Sequence, residues 1–102
     1  METRLVAAAL LALLPALAGA QDDPSGGEAL AQEYCARCHD ISAGGEMKQH
    51  PPSFAAIARY RPEDQIYARI WFPGVHAPMP EFAQILDPDR VEALVGYILS
   101  LE

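Results

Sequence analysis

The chain is poor in cysteine: it has only two, Cys35 and Cys38, three residues apart. A disulfide bond between them would close a very short loop and would restrict little of the remaining chain. A small domain stapled by several disulfide bonds is therefore excluded. Domains of this size often need a staple because they bury only part of their apolar surface. The two cysteines are therefore expected to hold a staple other than a disulfide bond.

Positive charge and long apolar runs are also scarce. The formal net charge is −7, and the few basic residues form no patch, which argues against a nucleic-acid partner. The longest apolar run, residues 5–17, is shorter than the roughly 20 residues of a membrane-spanning helix, and Pro15 interrupts it. We therefore expect no membrane span in the mature protein.

The first twenty residues have the layout of a secretory signal peptide. Arg4 precedes the apolar run, and Ala18-Gly19-Ala20 supplies the small residues of a cleavage site. The sequence predicts a signal peptide over residues 1–20 and one mature domain over residues 21–102. An uncleaved membrane anchor is the alternative, which the short apolar run disfavours.

No run of the sequence alternates with a period of two, so we expect no sheet. Ser25 and Glu28 have the capping-box spacing, which predicts a helix that starts there and runs into the cysteine motif. Helical patterns follow at residues 53–60 and 61–72, after a loop over residues 40–52. A last helix is predicted with N-cap Asp87 and Pro88 at its first position. Its apolar stripe consists of Val91, Leu94, Val95, Ile98 and Leu99.

One short stretch, YCARCHD, holds both cysteines and places His39 directly after the second. A thioredoxin-like redox pair would need a larger α/β chain, and a zinc site would need four ligands, with His50 and His76 as the only other histidines. The export signal disfavours chance placement in a reduced protein. C-x-x-C-H is instead the pattern of covalent haem attachment. Positions three and four apart share a helix face, so Cys35 and Cys38 can meet the haem edge while His39 reaches the iron.

The second axial position of such an iron has several candidate ligands. Of three methionines, Met1 is lost with the signal peptide, and Met47 follows the motif too closely to pass to the opposite haem face. Met79 lies forty residues after the motif histidine, between two prolines that favour an extended loop. His76 in the same loop is the rival ligand, and filling a gap in the core is the other role open to Met79. We expect Met79 to be the distal ligand.

These features together resemble a small class I c-type cytochrome of the bacterial periplasmic kind. The residues that carry the resemblance are Gly27, Cys35, Cys38, His39, Pro51, Pro52, Pro78, Met79, Pro80 and Tyr97. The resemblance implies an all-α fold of three to four short helices packed around one covalently attached haem c. It also implies that the N- and C-terminal helices cross, with Gly27 and Tyr97 at the crossing.

The resemblance also implies roles for the site residues. Cys35 and Cys38 would form the thioethers to the haem, His39 would be the proximal iron ligand and Met79 the distal one. A proline carbonyl of the loop, from Pro51 or Pro52, would accept the Nδ1–H of the haem histidine. Residues that contact the propionates are not implied, because the segment before the methionine is short. Trp71 and Tyr60 could serve there but are interpreted as core residues.

The function that follows is periplasmic transfer of one electron between unidentified protein partners, a donor and an acceptor. No acid–base pair and no activated nucleophile is recognisable, so we expect an electron carrier rather than an enzyme. The alternatives are a haem-bearing subunit permanently bound to a periplasmic dehydrogenase or oxidase, and a small haem peroxidase or gas-binding protein. The last would require Met79 to leave the iron.

Overall fold

The computed structural model describes residues 24–47, 50–74 and 77–102. Within these residues it contains helices and loops and no strand, which confirms the predicted all-α class. The α-helices are α1 (Pro24–Tyr34), α2 (Phe54–Tyr60), α3 (Glu63–Trp71) and α4 (Pro88–Leu99), and a single 3₁₀ turn spans Phe82–Gln84. No helix in the described ranges is long and apolar enough to cross a membrane. The predicted signal peptide lies outside the described residues.

Helix α1 begins one residue earlier than the capping-box pattern predicted. Pro24 is its first residue, so the predicted start at Ser25 lies one position inside the helix. The fixed φ of proline suits the first helical position, where the missing N–H costs nothing. The other end agrees with the prediction, because α1 runs directly into the cysteine motif.

Helices α2 and α3 begin one and two residues inside their predicted ranges, and α4 begins at the predicted Pro88. The hydroxyl of Ser53 accepts the amide N–H of Ala56 at 3.1 Å and caps α2. Helix α3 follows Pro62 and has two acidic residues in its first turn, which suits the positive end of the helix dipole. The carboxylate of Asp87 accepts the amide N–H of Arg90 at 2.9 Å and caps α4.

The core lies chiefly between α4 and the other helices. The predicted apolar stripe of α4 is buried at Val91, Leu94, Val95 and Ile98, with Leu99 packed at its edge. Trp71 packs against this core, as predicted, but Tyr60 is 65% exposed. The interpretation of Tyr60 as a core residue was therefore wrong. It is the last residue of α2, whose other positions already supply the buried face, and the guanidinium of Arg59 lies over its ring.

Helices α1 and α4 form the main helix–helix contact, and Gly27 lies at its closest point. A Cβ atom built on Gly27 would lie 2.6 Å from the Cβ of Tyr97 and would overlap the backbone carbonyl of Ala93. Only a residue without a side chain allows the two backbones to approach this closely. The predicted crossing of the terminal helices at Gly27 and Tyr97 is therefore present.

Replacing Gly27 by alanine should destabilise the folded protein by about 1–3 kcal/mol, because overpacking at a rigid backbone contact forces the helices apart. Gly26 provides the matched control, since a Cβ there meets nothing within 4 Å. Gly26→Ala should leave stability unchanged or raise it by about 0.4–1 kcal/mol. Denaturant unfolding of both variants measures the difference, and equal stabilities would contradict the close crossing.

Candidate functional site

The cysteine motif forms one helical turn directly after α1. The amide N–H of Cys35 continues the helix to the carbonyl of Ala31 at 2.8 Å. The carbonyl of Cys35 then accepts the amide N–H groups of Cys38, at 3.2 Å, and of His39, at 2.9 Å. These bonds give the turn the helical spacing on which the haem-attachment prediction depends, with both thiols and the imidazole displayed from a single turn.

The two thiols differ in their surroundings. Cys35 is buried and packs in the hydrophobic core, whereas Cys38 is exposed, and neither forms a disulfide bond. Burial raises the pKa of the Cys35 thiol to about 11, because a thiolate is poorly solvated there. Before any attachment, this thiol is therefore protonated at neutral pH. The site thus has one sulfur in the core and one at the surface.

The imidazole of His39 forms a hydrogen bond to the loop that follows it. Its Nδ1 lies 2.6 Å from the carbonyl oxygen of Pro52. A carbonyl oxygen can only accept, so Nδ1 carries a proton, and in the neutral ring the lone pair is then on Nε2. Of the two prolines that the resemblance offered, it is Pro52 that makes this contact. A histidine fixed in this tautomer is prepared to ligate a metal through Nε2.

Hydrogen bonds join the start of the loop between His39 and α2 to its end. Beside the bond to Pro52, the carbonyl of Asp40 accepts the amide N–H of Phe54 at 2.8 Å. The Asp40 carboxylate turns the chain by accepting the hydroxyl and the amide N–H of Ser42, at 2.7 and 3.0 Å. The ring of Phe54 lies 5.5 Å from the imidazole, centroid to centroid. The position of His39 is therefore set by backbone and ring contacts together.

Met79 lies half-buried and packs against the hydrophobic core. The chain re-enters the core directly after it, in the 3₁₀ turn that begins at Phe82. The ring of Phe82 meets the ring of Tyr34 edge to face at 6.3 Å, and Tyr34 immediately precedes Cys35. The segment that carries Met79 is thus anchored beside the start of the cysteine motif. The rival ligand His76 lies outside the described residues.

Met47 has a different environment. Its side chain is 54% exposed. It lines an open surface depression together with Ala43, Ala55, Arg59, Leu101 and Glu102. Of the two methionines in the described residues, Met79 is therefore the one that contacts the core.

One contact at the site was missed by sequence reasoning. The hydroxyl of Tyr97 on α4 donates to the carbonyl oxygen of Ile41 at 2.6 Å. The sequence pointed to Tyr97 only as a residue of the helix crossing. Nothing in the pattern could show that its hydroxyl reaches the loop after His39, because the two residues are 56 positions apart.

Comparison with known families identifies the chain. The family described as "Cytochrome C oxidase, cbb3-type, subunit III" matches residues 22–98. The chain belongs to this family of c-type cytochromes. No curated protein and no solved structure matches it.

Membership of the family establishes the cofactor and the general chemistry. Class I c-type cytochromes bind a covalently attached haem c, one for a single domain of this kind, and use it in electron transfer. They are generally extracytoplasmic. The residues present fit this group: two thiols and an imidazole lie on one turn, and the imidazole tautomer leaves Nε2 for the iron. In the described ranges no group of three or more His, Cys, Asp or Glu could hold a bare metal ion.

Proposed function

We propose that the chain is a periplasmic carrier of single electrons. In this proposal Cys35 and Cys38 would form thioethers to the haem, and His39 and Met79 would ligate its iron. The observation that supports it most directly is the 2.6 Å hydrogen bond from His39 Nδ1 to the carbonyl of Pro52. Such a bond orients an imidazole ligand and raises its basicity, which is the arrangement an iron ligand needs.

The two cysteines would hold one edge of the haem at different depths in the protein. The sulfur of Cys35 lies in the core and that of Cys38 at the surface. Attachment at both would fix one edge of the haem to the core through Cys35 and to the protein surface through Cys38. When bound, the haem supplies an iron that alternates between Fe(II) and Fe(III).

Met79 would set the reduction potential of the site. A thioether is a soft ligand that favours Fe(II) and raises the reduction potential relative to a second histidine. Its half-buried position against the core supports this role, in contrast to the exposed Met47. With His39 and Met79 as its ligands, the iron would be closed to water and substrates. The same two ligands would hold the iron in both oxidation states, which is what an electron carrier requires.

The predicted signal peptide supports a periplasmic location, and the net charge indicates the kind of partner. The predicted signal peptide over residues 1–20 would export the chain, and residues 21–102 would form the cytochrome domain. The net charge of −7 suits redox partners with basic or mixed docking surfaces. The donor and the acceptor are then proteins that bind transiently near the haem edge.

Spectroelectrochemical titration of the purified haem protein tests the carrier function. We expect reversible reduction with a slope of about 59 mV per tenfold change in the ratio of reduced to oxidised protein, which is the value for one electron. The absorbance should return fully over repeated cycles. Irreversible reduction, or loss of the six-coordinate spectrum in one oxidation state, would contradict a simple carrier.

The family description favours one alternative, a haem-bearing subunit of a larger redox complex. The matched family is named for a subunit of an oxidase. In that case the chain would serve the same electron transfer while permanently bound to its partner. Native mass spectrometry of the protein, purified gently from the periplasm of the cells that produce it, distinguishes a carrier from a subunit. A carrier gives the mass of the chain plus one haem. A subunit gives the mass of a stable complex.

A further inference from the structure

Tyr97 of α4 reaches both the helix crossing and the loop after His39. It is buried, with 7% of its surface exposed. Its Cβ lies at the close approach to Gly27 of α1, and its ring centroid is 6.3 Å from that of Phe54. Its hydroxyl donates to the carbonyl of Ile41 at 2.6 Å.

Each of the last two contacts leads to the imidazole by a short route. The ring centroid of Phe54 lies 6.3 Å from that of Tyr97 and 5.5 Å from that of His39. Ile41 is two residues after His39 on the chain. Tyr97 therefore reaches the surroundings of the imidazole by two contacts. Its ring packs on Phe54, whose ring also packs on His39, and its hydroxyl bonds to the backbone at Ile41.

We propose that Tyr97 is a positioning residue for His39. Its hydroxyl holds the carbonyl of Ile41, and with it the segment that carries the imidazole, so that Nδ1 stays within hydrogen-bond distance of Pro52. This inference rests on the proposed role of His39 as an iron ligand, because orientation of an imidazole by a second contact matters most when Nε2 is bound to a metal. It links the packing of the terminal helices to the ligand geometry.

The role differs from simple packing in what it requires. Packing at the crossing needs only the Cβ and ring of Tyr97, whereas positioning needs the hydroxyl. Tyr97→Phe keeps the ring and removes the one oxygen that bonds to Ile41. Asp87→Ala is the matched control, because it weakens the same helix by removing its N-cap bond to the Arg90 amide. It leaves the bond from Tyr97 to Ile41 in place.

NMR of the reduced haem-loaded protein tests the proposal through two protons beside the ligand: the Nδ1–H of His39 and the amide N–H of Phe54. Their exchange with solvent is measured relative to that of the buried Leu94 amide on α4, which corrects for global stability. In Tyr97→Phe we expect both to exchange about three- to tenfold faster on this relative scale. The Nδ1–H resonance should also shift.

In Asp87→Ala the relative exchange should match the wild type and the Nδ1–H resonance should not move. Wild-type relative exchange in Tyr97→Phe, or an equal increase in both variants, would overturn the positioning role. Failure of the proposed function has a different signature. If His39 is not an iron ligand, its ring protons lack the large haem ring-current shift already in the wild-type protein.

Discussion

Replacing Met79 by alanine is expected to open the iron to external ligands. The ferrous variant should bind carbon monoxide to full occupancy at neutral pH, and its reduction potential should fall because the soft thioether no longer stabilises Fe(II). In the oxidised protein the weak near-infrared band of sulfur-to-iron charge transfer should disappear. Optical titration with carbon monoxide and a near-infrared spectrum measure both effects.

Met47→Ala is the matched control for this change. Met47 is the other methionine among the described residues, and its side chain is 54% exposed at a surface depression. Its replacement should leave the near-infrared band and the closed iron unchanged, and His76→Ala should do the same. Survival of the near-infrared band in Met79→Ala would show that Met79 is not the distal ligand.

Loss of the thiols should have an equally large effect on haem retention. Wild-type protein secreted with haem-attachment machinery should keep its colour through denaturation and acid–acetone extraction, because both thioethers are covalent. Cys35→Ser or Cys38→Ser should lose one thioether and most of the yield of haem protein. The double variant should release all its haem on extraction, as measured by the pigment remaining with the polypeptide.

Arg37→Ala controls for disturbance of the same turn. Arg37 is exposed and lies between the two cysteines, so its replacement alters the turn without removing a sulfur. Its haem yield should be close to that of the wild type. Extractable haem in the wild-type protein would contradict covalent attachment.

The sequence predicted the helices well because each carries its own local signal. The N-cap Asp87 makes the side-chain bond that its position indicated, whereas the cap of α2 at Ser53 was not predicted. Helix α1 begins at Pro24, one residue before the predicted start, and the fixed φ of proline suits a first helical position. The 3₁₀ turn at Phe82 was missed because a single turn leaves no periodic pattern.

The site was partly predictable for the same reason. The spacing of the cysteine motif is local, and the structure forms the expected turn. Contacts between distant segments were not predictable from pattern: the choice of Pro52 over Pro51 depends on the path of the loop, and the bond from Tyr97 to Ile41 depends on how α4 packs. The resemblance to c-type cytochromes supplied the helix crossing that the periodicity alone could not.

The absorption spectrum of the reduced wild-type protein under carbon monoxide tests the central claim most directly. If His39 and Met79 both hold the iron for electron transfer, the spectrum at neutral pH should be the same before and after the gas is added. Ready binding of carbon monoxide would mean that the distal position is open or labile. The electron-carrier function would then give way to gas binding or peroxidase chemistry.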